Sequence, residues 1–101
     1  MKLFIDTANS EKIIIGWDGE RFERNTREKK SQALLTFIDE KLKKDKKTID
    51  DVSEIEVNVG PGSFTGLRVG LAVANTIGWV RGIPINGKNI KKDGPLTPRY
   101  E

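Results

Sequence analysis

The sequence predicts an α/β fold, a mixed five-stranded sheet with two main helices in the order βββαβαβ. Three observations carry that expectation. The first 25 residues hold three short apolar or alternating runs, a strand period. From about Ser31 the period changes to that of an amphipathic helix, and a second, glycine-rich helical segment follows one more β-rich run. Parallel neighbours in a sheet need a crossover between them, and the two helices supply it.

Lys2 to Asp6, Lys12 to Trp17 and Glu20 to Arg24 form the expected antiparallel meander, broken at Ala8 to Ser10 and at Asp18-Gly19, a pair that supplies the positive backbone angles of a tight hairpin. In the first helix, Leu34, Leu35, Ile38 and Leu42 fall within about 100° of one another, with charged residues opposite. Phe37 lies about 60° outside that stripe, an apolar flank without an obvious internal use. The lysine run Lys43 to Lys47 suits the helix C-terminus. After a turn over Thr48 to Val52, Glu54 to Val59 reads as the fourth strand. Gly60, Pro61 and Gly62 end it, and Ser63 or Thr65 caps a helix running to about Arg81. Ile83 to Asn86 reads as the fifth strand. The expected organisation is one domain over residues 1 to 87 and a loop or disordered tail over 88 to 101, because the tail holds two prolines, several charges and no periodicity.

The 101 residues include 18 Lys+Arg against 15 Asp+Glu, and neither His nor Cys. Without them there is no disulfide framework, thiolate nucleophile, imidazole base or zinc site of the usual kind. The missing Cys and an N-terminus that turns polar after MKLFI point to a cytoplasmic location. The longest uncharged apolar stretch, Val69 to Val80, falls well short of the roughly 20 residues that span a bilayer, so no membrane association is expected. A net charge of +3 fits a solvated surface.

Three constellations are candidates for function. The turn Gly60 to Gly66 joins a strand to a helix N-terminus and can point N–H groups at a phosphate, the expected phosphate site being Asp6, Thr7, Gly60, Gly62, Ser63 and Thr65. It lacks the Walker lysine, and the Rossmann spacing fails, so a tight turn serving close helix packing is the alternative. Asp6, followed by Thr7, ends the first strand where a metal-bound carboxylate sits in ribonuclease H-like folds. The partner carboxylates of a two-metal nuclease are missing, so Asp6-Thr7 is expected to organise the following turn. Third, Gly66, Gly70, Ala74 and Gly78 recur every four residues as a smooth ridge that lets another helix approach closely. An apolar arc of about 220° around this helix calls for two buried faces.

GPGSFTGLRVGLAVA, at Gly60 to Ala74, closely resembles the bacterial TsaB (YeaZ) family, and LFIDTA, KKSQALLTFIDEKL and GIPI align in order with it. The resemblance implies an actin-like ATPase, ribonuclease H-like half-domain. It also implies a noncatalytic subunit in tRNA threonylcarbamoyladenosine modification that pairs with TsaD, the catalytic paralogue, and works with the ATPase TsaE, requiring no cofactor of its own. A small nucleotide-binding domain, using the Gly60 to Gly66 turn for phosphate and Asp6 for magnesium, is the alternative. Lys30 stands where the family often has His, and Val59 where it commonly has Gly or Arg. Members usually continue into a second domain, and the nucleotide cleft of actin-like proteins needs both. The family's paired helices and the excess apolar surface together suggest a homodimer in isolation, with Leu34, Phe37, Lys41, Val69, Val73 and Ile77 at the interface. Direct tRNA binding is expected to be weak, since no aromatic residues interleave the lysines of Lys41 to Lys47.

Overall fold

The computed structural model describes residues 1–9, 11–26 and 30–98. Four strands form one sheet in the order β3-β2-β1-β4: β1 (Lys2–Asp6), β2 (Lys12–Trp17), β3 (Glu20–Asn25) and β4 (Glu54–Val57). β1 pairs antiparallel with β2 and parallel with β4, and β2 pairs antiparallel with β3. The β2–β3 hairpin turns at Asp18 and Gly19, with φ of 53° and 80°, the sign that the Asp-Gly pair predicts. The turn expected over Ala8 to Ser10 extends to Ser10, which lies outside the described residues.

Strand alternation sends Leu3, Ile5, Ile13, Ile15 and Trp17 to one face, where all are buried under helices α1 (Lys30–Lys44) and α2 (Phe64–Arg81). A 3-10 turn over Ile49–Asp51, closed by a capping box at Thr48, leads from α1 to β4. Ser63, not Thr65, caps α2: its side chain accepts from the Gly66 N–H, and Gly82 closes the helix at φ 66°.

The buried stripe of α1 is rotated from its expected position. Leu34, Phe37, Ile38 and Leu42 are buried, whereas Leu35 is 53% exposed. The hairpin explains the rotation, because Arg24 of β3 lays its guanidinium 4.4 Å from the Phe37 ring and covers that flank of the helix. Phe37 therefore has an internal use after all.

The fifth strand is reduced to isolated bridges from Ile85 to Ile55 and to Lys88. Pro84 has no N–H to give to a ladder, and Asn86 turns away at φ 49° while its side chain accepts from Val57 N and donates to Val57 O. The sheet is thus four-stranded, with the side chain of Asn86 standing in for further main-chain pairing. The tail also departs from expectation. One helical turn, α3 (Ile90–Asp93), is capped by Asn89 and buries Ile90, and the chain then runs beside α2 as far as Pro98. Ile90, and further on the half-buried Leu96, anchor a segment whose composition reads as loop; Arg99 to Glu101 lie outside the described residues.

Candidate functional site

The end of β1, the Gly60 to Gly62 turn and the start of α2 meet at one junction. Asp6 Oδ1 accepts from Ala8 N at 2.9 Å and from Asn58 Nδ2 at 3.1 Å, and Asn58 Oδ1 accepts from Gly60 N at 2.9 Å. Ser63 N donates to Ala8 O at 2.8 Å. Gly62 has to be glycine here: its φ is 158°, and a Cβ would lie 2.5 Å from Cβ of Ala8. The structure therefore brings Asp6, Gly60, Gly62 and Ser63 together, but the N–H groups of Gly60 and Ser63 are already committed within the chain. Thr65 stays exposed on the first turn of α2.

Among the described residues Thr7 is the one buried polar residue of the core, 1% exposed. Its hydroxyl donates to Gly66 O at 2.6 Å and accepts from Gly70 N at 3.0 Å, standing between two groups that a regular helix pairs with each other. Such a hydroxyl has no capacity left for a phosphate. Titration with ATP and magnesium should accordingly give no binding tighter than about 10 μM, an affinity worth about 7 kcal/mol, and calorimetry checks it.

The ridge of Gly66, Gly70, Ala74 and Gly78 packs on the sheet, not on another helix, which corrects the expectation. A Cβ on Gly66 would collide with the main-chain oxygen of Thr7, one on Gly70 would lie 2.5 Å from Thr7 Oγ1, and one on Gly78 would lie 2.5 Å from Cδ1 of Ile85. Sequence spacing marks a close approach but is silent about which neighbour makes it.

Lys30 reaches the same junction from α1, its ammonium donating to the main-chain oxygens of Thr7 and Asn9. Burial pushes its pKa below the ordinary 10.5, and the Asp6 carboxylate partly opposes that shift. Between the lowered native value and 10.5 the unfolded chain binds more protons than the folded one, so stability should rise with pH across that window. Subtracting the pH dependence of thermal melts of Lys30→Met from that of the parent chain should isolate this rise, and identical profiles would show that Lys30 does not contribute.

The expected interface residues divide. Leu34, Phe37 and Val73 are core, at 0%, 2% and 7% exposure, and Lys41 is drawn to the hairpin, its ammonium 4.5 Å from the Phe22 ring. Val69 and Ile77 remain half-buried. The outward face of α2 consists instead of Thr65, Arg68, Ala72, Thr76, Trp79 and Val80, with one charge among them, and Trp79 and Val80 are 56% and 74% exposed. These residues lie opposite the glycine ridge by helical arithmetic, a signal in the sequence that becomes usable once the ridge is assigned to the sheet. Beside this face, Leu35, Ile38, Leu42, Ile49 and Ile77 line an apolar groove of about 410 Å³ between the helices.

Comparison with known proteins places the chain. A family model described as "TsaD: tRNA N6-adenosine threonylcarbamoyltransferase" matches residues 24–89, well over half of the sequence. The tRNA threonylcarbamoyladenosine biosynthesis protein TsaB of Bacillus subtilis is 50% identical over 62 residues, 50% of this chain and 26% of that protein. The chain belongs to the TsaB (YeaZ) family. TsaB of Escherichia coli is 32% identical over 89 residues, which cover 84% of this chain and 38% of its own length. YeaZ from Pseudomonas aeruginosa superposes with a TM-score of 0.71 at 22% identity over 83% of this chain and 41% of that one, which gives the actin-like, ribonuclease H-like fold. The chain thus spans well under half the length of these TsaB and YeaZ relatives. Among the described residues no helix is long and apolar enough to cross a membrane.

Proposed function

We propose that this TsaB-family domain is a noncatalytic interaction subunit of the tRNA threonylcarbamoyladenosine machinery, docking a TsaD-like catalytic subunit through α2 and the groove beside α1. The observation that carries the reading is the outward face of α2, nearly free of charge and bordered by an apolar groove. Its residues are arranged symmetrically about Ala72. A helix of the same fold crossing antiparallel at that point sets Thr65 against Trp79 and Arg68 against Thr76, while the small Ala72 allows close approach. A paralogue of the same fold presents a corresponding helix, and so does a second copy of the chain, which supports a homodimer when the catalytic subunit is absent.

A noncatalytic role is supported by the junction at Asp6. Its carboxylate is held by an amide N–H and by Asn58, the N–H groups of Gly60 and Ser63 are bonded within the chain, and the Thr7 hydroxyl is committed to α2. Residues 1 to 87 are read as the actin-like unit, in the cytoplasm with the tRNA it helps to modify, and a TsaE-like ATPase is the further partner of the complex.

Mixing the chain with the TsaD-type protein of the same cell should give a one-to-one complex by sedimentation, replacing the homodimer. A chain that stays monomeric alone and fails to bind the TsaD-type protein would overturn the reading.

A further inference from the structure

The segment after α3 runs beside α2 and is held there by one side chain. Asn75 donates from Nδ2 to Leu96 O at 3.0 Å, and its Oδ1 accepts from Leu96 N at 3.0 Å. A carboxamide offers a donor and an acceptor side by side, so it can satisfy both main-chain groups of one residue in an extended chain, as a neighbouring strand would. Leu96 packs half-buried against the core. On one side of the segment is an apolar groove of about 310 Å³ bounded by Thr76, Trp79, Val80, Ile90 and Pro95. On its other side a cavity of about 690 Å³ separates it from Val59 and Asn86. The segment therefore stands between two open spaces and is attached by one amide and one apolar side chain. Pro95 and Pro98 restrict the backbone around Leu96 and so reduce the entropy lost on docking.

We propose that this flank of α2 is a receptor site for an extended apolar peptide, and that Pro95-Leu96-Thr97 is its resident ligand, a strap bound in cis that opens without unfolding the domain. Recognition is divided between Asn75, which reads the main chain, and the socket that takes Leu96. The ligand class is an extended segment carrying one leucine-sized side chain between residues that resist helix formation. The groove shares Thr76, Trp79 and Val80 with the proposed pairing face, whereas Asn75 and the Leu96 contact lie outside that face, so the proposal does not rest on pairing.

The test uses the full chain and hydrogen exchange followed residue by residue. Asn75→Ala should lower protection of the Leu96 amide by about tenfold or more while leaving the amides of β1 and β2 unchanged, and should speed tryptic cleavage after Lys92. In Leu96→Gly, which vacates the socket, a synthetic peptide Gly-Pro-Leu-Thr-Pro should bind saturably and shift the Trp79 indole resonance, and adding Asn75→Ala should abolish that shift. If Asn75→Ala does not fold, the Leu96→Gly titration decides alone. Unchanged Leu96 protection, loss of protection only together with the sheet amides, or no saturable peptide binding would overturn the proposal. Protection that rises with protein concentration would also overturn it, since the occupant is then the strap of a second copy.

Discussion

Gly66→Val should cost about 2 to 3 kcal/mol of stability and lower the melting temperature by more than about 10 °C, as read by circular dichroism. The added atoms have nowhere to go, since even a Cβ meets the main-chain oxygen of Thr7 and lies 3.2 Å from the Lys30 ammonium. A main-chain carbonyl oxygen just past the end of β1 cannot swing aside as a side chain can, so α2 itself has to lift from the sheet. Lifting α2 stretches the bonds from the Thr7 hydroxyl to Gly66 O and Gly70 N, and buried polar groups then go unsatisfied. Gly66→Ala should be milder, because alanine's better helix propensity returns up to about 1 kcal/mol. A melt within 2 °C of the parent for both variants would show, by the usual relation between stability and midpoint, that α2 is not seated so closely on β1.

Ala72→Glu should weaken association, with a second copy or with a TsaD-type subunit, by about 100-fold or more and leave the melt unchanged. Ala72 is exposed in the isolated chain, so a carboxylate there stays hydrated at no cost to folding. At the centre of a helix seam it would be buried without a partner, a penalty of several kcal/mol, and 100-fold corresponds to about 2.7 kcal/mol. Val73→Glu gives the contrast. Val73, next to Ala72 in sequence, is 7% exposed against the core, and a charge there should unfold the domain instead of parting a dimer. Sedimentation at micromolar concentration paired with melts distinguishes the two. A dimer indifferent to Ala72→Glu would put the seam elsewhere.

Comparing these two adjacent positions shows how far the sequence reaches. Periodicity alone sets both on an apolar arc too wide for a one-sided helix, and it implies that two faces are covered. Which residue belongs to which face depends on where the sheet lies, a question of tertiary packing. The same limit explains Leu35 and Phe37: their spacing from Leu34 is known from the chain, but the Arg24 guanidinium over Phe37 comes from a strand distant in sequence and rotates the buried stripe toward it.

The sequence by itself determined the meander, the Asp-Gly hairpin, both long helices, the end of α2 near Arg81 and the family, because each rests on local chemistry or on a contiguous motif. Only the tertiary structure decided that the glycine ridge is seated on Thr7, Ile5 and Ile85, that the N–H groups of Gly60 and Ser63 are already engaged, and that Asn86 and Asn75 each pair with main chain elsewhere in the fold. The physical reason is common to all of them. A glycine, a free N–H or a carboxamide states a capacity for close approach or hydrogen bonding, and the sequence carries that capacity without naming the distant group that uses it.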